Sequence, residues 1–331
     1  MSQDHDLKRR EFLGGVAAIT AASALAGETV PSGMQYRQLG KTGEKVSALG
    51  LGGSHIGNPK DPNEATRIIR TALDRGMNFL DNCWDYHDGD SEVRMGKALR
   101  DGYRQKAFLM TKFDGRTKAA AARQIDESLQ RLQTDHLDLI QFHENIRLDD
   151  PDRFFAEDGA VEAVTAARKA GKVRYIGFTG HKDPLVHLRM LDEAAARNFH
   201  FDTCQMPLNI MDASFRSFQK QVLPRLQAEG IGALGMKPIG SGILLKSGKV
   251  TAVECLQYAL SLPASVVITG CDSMERLDQA FAVIRNFKPL PAEKMAELES
   301  RAKADALSGK FELFKTSTRF DGTIKNPQWM G

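Results

Sequence analysis

Cysteine is scarce. Four residues in a chain of 331 are too few and too scattered for a disulfide scaffold, and they lack the close spacing of a metal-binding motif. An excess of charge of one sign is missing as well. Forty-five basic residues stand against 42 acidic ones, a net +3, which marks no nucleic-acid or membrane-surface partner. Long apolar stretches are absent from the body of the chain. The small-residue run from Gly14 to Ala26 is shorter than the ~20 residues that a ~30 Å hydrocarbon core demands of a helix. No internal repeat and no low-complexity linker divides the chain. A Gly-x-Gly-x-x-Gly turn is also lacking: Gly50-Leu51-Gly52-Gly53 has the wrong spacing and leads into Ser54-His55-Ile56-Gly57, which counts against an open doubly wound sheet. What is present, 42% apolar and 26% charged residues, suits a globular domain with a buried core.

The N-terminus reads as an address. Lys8-Arg9-Arg10-Glu11-Phe12-Leu13 precedes the apolar run, and the run ends in the small-x-small sequence Ala24-Leu25-Ala26, so charged region, apolar region and cleavage site come in the order of a signal peptide. Paired arginines followed by Phe-Leu resemble a bacterial twin-arginine (Tat) signal. The resemblance implies that residues 1–26 are removed and that residues 27–331 form the mature domain. It further implies transient contact with the Tat machinery, a periplasmic or other extracytoplasmic destination, and no membrane attachment after cleavage.

From Ser47 onward, eight short apolar runs alternate with helical patterns: Ser47–Leu51, Asn78–Leu80, Ala107–Thr111, Leu137–Phe142, Val173–Phe178, Phe201–Gln205, Ile231–Met236 and Val266–Thr269. Uniformly apolar runs of this length are strands covered on both faces. Between them, Ala65, Ile68, Ile69, Ala72 and Leu73 share a helical face, as do Ala122, Ile125, Leu129 and Leu132, and Phe215, Phe218, Val222 and Leu226. Gly76, Gly171 and Gly230 stand where helices stop. The expected fold is an α/β (β/α)8 TIM barrel in one domain. A hairpin of Tyr36–Leu39 and Lys45–Val46 around Gly40-Lys41-Thr42-Gly43 is placed to plug the barrel bottom. The aromatic tail residues Phe311, Phe314, Phe320 and Trp329 are expected to fold partly over the pocket mouth.

In such barrels the chemistry sits at the C-terminal strand ends. There the second run leads to Asp81-Asn82-Cys83-Trp84-Asp85-Tyr86, the third to Lys112, the fourth to His143-Glu144, the fifth to Thr179-Gly180-His181 and the sixth to Gln205. A tyrosine is a poor acid at neutral pH. A neighbouring ammonium favours its phenolate, a carboxylate holds that ammonium, and a histidine can polarise a carbonyl oxygen. Asp81, Tyr86, Lys112 and His143 thus make a set suited to proton delivery during hydride transfer.

These residues carry a family resemblance. Asp81 and Tyr86 followed by Ser91-Glu92 and Gly96-Lys97-Ala98-Leu99, then Thr111-Lys112, Leu137-Asp138 through His143, Lys172-Val173-Arg174-Tyr175-Ile176-Gly177-Phe178-Thr179 and Gln205 together resemble the aldo-keto reductases over roughly Tyr36 to Phe287. The resemblance implies an oxidoreductase that moves a hydride between NADP(H) or NAD(H) and a small-molecule aldehyde, ketone, sugar or alcohol. Tyr86 would be the proton donor, Asp81 and Lys112 would tune it, and His143 would orient the substrate. Thr179 and Gln205 would hold the nicotinamide. Gly240, Ser241 and Gly242 would meet the pyrophosphate, and Gly270, Asp272, Arg276 and Gln279 the adenosine end; Lys237, where the family commonly has Ser, could pair with a cofactor phosphate or with an acidic substrate. An acid at Asp272 tilts the reading slightly toward NAD(H), with Arg276 as a possible phosphate partner. Met236 stands where the family usually stacks an aromatic ring on the nicotinamide. Trp84, His181 and His55 are candidate substrate-pocket residues. Export raises the question of cofactor supply, hence one variant in which the dinucleotide stays bound and cycles between oxidised and reduced states within one turnover or between paired substrates. A non-catalytic nicotinamide-binding subunit is the reading from another class. A metal-dependent hydrolase would open with His-x-His on the first strand, where only His55 is near, and no metal site is expected.

Overall fold

The strand alternation builds a closed barrel. In the computed structural model, which describes residues 33–331, β1 (Tyr36–Gln38) and β2 (Lys45–Ser47) pair antiparallel as the expected hairpin. Eight further strands follow: β3 (Leu49–Gly52), β4 (Phe79–Asp81), β5 (Phe108–Phe113), β6 (Leu137–Phe142), β7 (Val173–Thr179), β8 (Thr203–Pro207), β9 (Gly232–Met236) and β10 (Val266–Gly270). All eight are parallel and close in the order β10-β3-β4-β5-β6-β7-β8-β9. The chain is a (β/α)8 barrel. The predicted export signal lies outside the described residues.

Successive strand side chains point to opposite faces, and the two faces are sorted cleanly. Phe79, Phe108, Met110, Leu139, Leu234, Val266 and Ile268 fill the barrel interior, and Leu39 and Val46 of the hairpin join them from below. Leu80, Leu109 and Ile140, of opposite parity, belong to the outer layer under the helices. The hairpin is tied down by Arg37, which donates to the carbonyls of Ala264 at 2.8 Å and Leu260 at 2.7 Å. Gly76, Gly171 and Gly230 all take positive φ, at 89°, 76° and 73°, as left-handed helix stops require.

Two helical faces differ from expectation. The buried stripe of helix Lys118–Leu132 uses Ala121, not Ala122, together with Gln124, Ile125, Ser128, Leu129 and Leu132. Four consecutive alanines, 119–122, offer no apolar contrast by which to phase the helix. Phe215 lies outside any helix, because Asp212 accepts from the amides of Phe218 at 3.1 Å and Gln219 at 2.8 Å and starts the helix three residues later, at Phe218.

After the helix Ala292–Ala306 the chain folds back across the barrel mouth, as expected for the tail. Lys315, 1% exposed, anchors it by donating to Asp212 at 2.6 Å and Glu312 at 3.1 Å, both fully buried. All four cysteines are buried free thiols. Among the described residues no helix is long and apolar enough to cross a membrane.

The hairpin plug is testable. Leu39→Ala removes a fully buried side chain from the interior cluster and should cost about 2–5 kcal/mol, read as a lower urea midpoint. An unchanged midpoint would show that the hairpin does not unfold with the barrel.

Candidate active site

The parity that fills the barrel also delivers the polar residues. The inward series Phe79, Asp81 on β4, Phe108, Met110, Lys112 on β5, Leu139, Gln141, His143 along β6 and Tyr175, Gly177, Thr179 on β7 all end in polar residues. Tyr86 arrives from the loop after β4. Asp81, Tyr86, Lys112, His143 and Thr179 all line one cavity of about 370 Å³ at the C-terminal strand ends.

Lys112 is 1% exposed, and a buried ammonium must be fully paired. Its Nζ forms a close ion pair with Asp81 Oδ1, donates to the Asn82 carbonyl at 2.6 Å and lies 3.3 Å from the Tyr86 hydroxyl. Burial, then the charges of Asp81, Cys83, Asp85 and Asp114, push the phenol well above its ordinary value. Tyr86 is therefore a phenol, a hydrogen-bond donor, rather than a phenolate. His143 stands edge-on to Tyr86 with ring centroids 6.2 Å apart.

The cavity fits a nicotinamide dinucleotide. Thr179 Oγ1 is buried without a hydrogen-bond partner beside the catalytic group, as a carboxamide-binding hydroxyl would be. Ser241 and Gly242 line the cavity with positive φ of 54° and 79°, and at Gly242 a Cβ would meet nothing within 4 Å, so this turn leaves room for a phosphate to approach the backbone. Gly270, Asp272, Arg276 and Gln279 continue the lining toward the outer end. Gly180 follows Thr179 because a Cβ there would lie 2.2 Å from the Asn145 carbonyl.

Other expected residues are placed differently. Gln205 does not line the cavity; it donates to Asp81 Oδ2 at 3.1 Å and accepts from Gln141 at 2.9 Å, so its amide is committed to the barrel floor. Gly240 is buried behind the lining, where a Cβ would strike Leu244 at 2.1 Å. Trp84 faces away: its indole donates to Glu127 at 2.6 Å and its ring meets Trp329 edge-on at 5.5 Å. His55 and His181 do line the cavity, and His181 is hydrogen-bonded to Asp321 of the tail at 2.9 Å. Lys237 lines it too, but its ammonium stands over the tail rings Phe314 and Phe320, at 5.6 and 5.4 Å. Burial and the Lys112 charge lower its pKa to about 8.

Phe320 reaches the cavity wall as expected of the tail; sequence reasoning gave no role to Asp85 and Glu144 in the same wall, nor to Asp114 behind it. Asp85 and Glu144 directly adjoin Tyr86 and His143 in sequence, which was the available signal. Asp114 continues the two-residue alternation past Lys112. Cys83 Sγ, Asp85 Oδ1 and Asp114 Oδ1 surround His143 Nδ1 at 3.2, 3.8 and 2.9 Å.

Known proteins share this architecture. Residues 48–253 match the aldo/keto reductase family. L-galactose dehydrogenase of Arabidopsis thaliana is 27% identical, over 81% of this chain and 94% of its own length. Aldo-keto reductase YhdN of Bacillus subtilis (strain 168) is 30% identical, over 66% of this chain and 65% of its own. The holo structure of aldo-keto reductase AKR11C1 from Bacillus halodurans superposes with a TM-score of 0.69 at 26% identity, covering 82% of this chain and 97% of that one. Neither a non-catalytic subunit nor a permanently retained dinucleotide gains support from these relatives. The chain belongs to the aldo/keto reductase family and is an NAD(P)-dependent oxidoreductase.

Proposed function

We propose that the enzyme interconverts a small polyhydroxylated, sugar-like carbonyl compound and its alcohol, with NAD(H) as the preferred hydride partner, outside the cytoplasm. The carrying observation is the buried Lys112–Asp81 pair set against the Tyr86 hydroxyl at the floor of the cavity. Around that floor the wall is rich in groups that bind hydroxyls: Asp85, His143, Glu144, His181 and Lys237. The plant relative, whose name is L-galactose dehydrogenase, supports the sugar reading.

Thr179 would hold the nicotinamide and the Ser241–Gly242 turn the pyrophosphate of a bound dinucleotide, whose reduced ring would supply the hydride. The chain supplies the rest. Tyr86 donates its hydroxyl proton to the carbonyl oxygen as that oxygen gains charge. Lys112, fixed by Asp81, stabilises the phenolate left behind. His143 hydrogen-bonds the same oxygen and orients the substrate. Tail residue Phe320 helps close the cavity against water.

Asp272 supports the NAD(H) preference. It borders the outer end of the cavity, where a carboxylate accepts from a free ribose 2′-OH and repels a 2′-phosphate. Arg276 donates to Gln279 at 3.1 Å, along its own helix. The N-terminal motif, outside the described residues, supports Tat export and an extracytoplasmic location.

Tyr86→Phe should lower kcat by about 10²–10⁴-fold and leave nucleotide binding, read by fluorescence titration, within about twofold; full activity would overturn the assignment. Catalytic efficiency with NAD(H) should exceed that with NADP(H) by about tenfold, ~1.4 kcal/mol, and Asp272→Ser should narrow the ratio; equal efficiencies in the parent enzyme would sink the preference. Replacing Arg9 and Arg10 together by lysine should leave the protein in the cytoplasmic fraction, and unchanged fractionation would refute Tat export.

A further inference from the structure

An imidazole with one proton donates from one nitrogen only. In His143, Nδ1 lies 2.9 Å from Oδ1 of Asp114, a fully buried carboxylate that faces the ring as an acceptor. Nδ1 therefore carries the hydrogen. A neutral ring fixed this way turns a bare lone pair, Nε2, toward the cavity, and a lone pair cannot polarise a carbonyl oxygen. For His143 to play its part, the ring needs a second proton.

The surroundings are built to hold one. Asp85 Oδ1 lies 3.8 Å from Nδ1. Both carboxylates keep an oxygen without a hydrogen-bond partner, Asp85 Oδ1 and Asp114 Oδ2. Buried carboxylates with unspent acceptor atoms are costly beside a neutral ring, and a positive charge between them relieves the cost. The other nearby charges are already engaged. Lys112 is paired with Asp81. Glu144 is tied to the tail amides of Gly322 and Thr323 at 2.6 and 2.8 Å. His181 is bonded to Asp321, and Lys237 leans on the tail aromatics. Tyr86 and Cys83 are neutral donors, since burial raises both of their pKa values.

We propose that His143 meets the substrate as an imidazolium, and that Asp114, supported by Asp85, is the positioning residue that holds this charge and sets the ring so that Nε2–H points at the carbonyl oxygen. The inference rests on the carbonyl-reduction reading above and adds that the polarising group is cationic. The balance of burial and charge around the ring agrees with it. Burial alone would lower the imidazole, but the charges of Asp114 and Asp85 and the Asp114 hydrogen bond outweigh burial and hold the group above its ordinary value of 6.5. Burial and the Asp114 charge in turn raise Asp85, which leaves Asp114 as the principal counter-ion.

The sign follows directly. The imidazolium exists below its raised pKa, so catalytic efficiency for carbonyl reduction should fall as pH rises through that value. Asp114→Asn removes the counter-charge and should move the fall to lower pH by about one unit or more. Asp85→Asn, at the cavity wall, should move it the same way by less, and serves should the buried Asp114→Asn variant fold poorly. The direct readout is nitrogen-15 NMR of the histidine rings, with the His143 signal identified by its loss in His143→Gln. The expected result is titration above 6.5 in the parent enzyme and at lower pH in both variants, with the rate profiles moving in step. Titration at or below 6.5 in the parent would overturn the proposal. So would rate profiles that stay in place while the NMR titration moves, or a stoichiometric divalent metal in the purified protein, which would occupy Nδ1. A raised titration with no carbonyl turnover on either NADH or NADPH would uphold the imidazolium and count against the reductase reading instead.

Discussion

Everything at the mouth of this barrel is arranged around a buried ammonium. Lys112 is withdrawn from water, and an unpaired charge there would cost several kcal/mol. Asp81 answers the charge, but Asp81 is itself buried and needs its second oxygen satisfied. Gln205 does that from β8, at 3.1 Å, and accepts in turn from Gln141 on β6, at 2.9 Å. The pairing thus grows into a polar floor spanning the barrel, directly above the apolar interior layer. Gly177 belongs to the same constraint: a Cβ there would lie 2.1 Å from Thr203 Oγ1 and 3.0 Å from Gln141 Oε1, so the floor closes only over a glycine.

Above that floor, burial and the surrounding carboxylates outweigh the lysine neighbour and keep the Tyr86 phenol from becoming acidic. Burial then keeps the proton on the oxygen until a substrate carbonyl begins to accumulate charge. The stabilisation by Lys112 is worth most after the proton has left, when the phenolate is the new charge to be paired. A group that favours the later state more than the earlier one is what catalysis requires. The site therefore holds two separate charge balances, Lys112 with Asp81 and His143 with its carboxylates, on either side of one neutral donor.

Much of this was legible in the sequence because barrel strands obey a two-residue period. The eight apolar runs located the strands, and reading only their C-terminal ends brought out Asp81, Lys112, His143 and Thr179 with few competitors. The hairpin and the glycine helix stops were equally readable, since both rest on local backbone preferences. The differences in placement fall where local rules end. Trp84 sits in a loop, where alternation no longer fixes direction, and its partner Trp329 comes from the far end of the chain. Gln205 was given to the cofactor because its commitment to Asp81 is a tertiary contact between β8 and β4. The alanine run before Arg123 has no periodic contrast at all. Asp114 was passed over for a related reason: its significance depends on His143, which reaches it only when β5 and β6 pair in register.

The tail is part of the same argument. Glu144, next to His143, holds a positive φ of 48°, a conformation costing about 1–2 kcal/mol in a non-glycine residue. The strain aims its carboxylate at the tail, where it accepts from the Gly322 and Thr323 amides and the Thr323 hydroxyl. Buried Arg116 completes the connection. Its guanidinium donates to the carbonyls of Asp114 at 2.8 Å and Glu144 at 2.7 Å, and its own amide donates to the Met330 carbonyl at 2.8 Å. The backbones on both sides of the His143–Asp114 pair are therefore held through one residue that the C-terminus helps to seat. Folding the tail over the mouth does more than exclude water: it sets the position of the histidine and its counter-ion. A displaced tail would leave Glu144 strained and lacking its tail donors beside the same imidazole, so closure and chemistry are coupled through direct contacts.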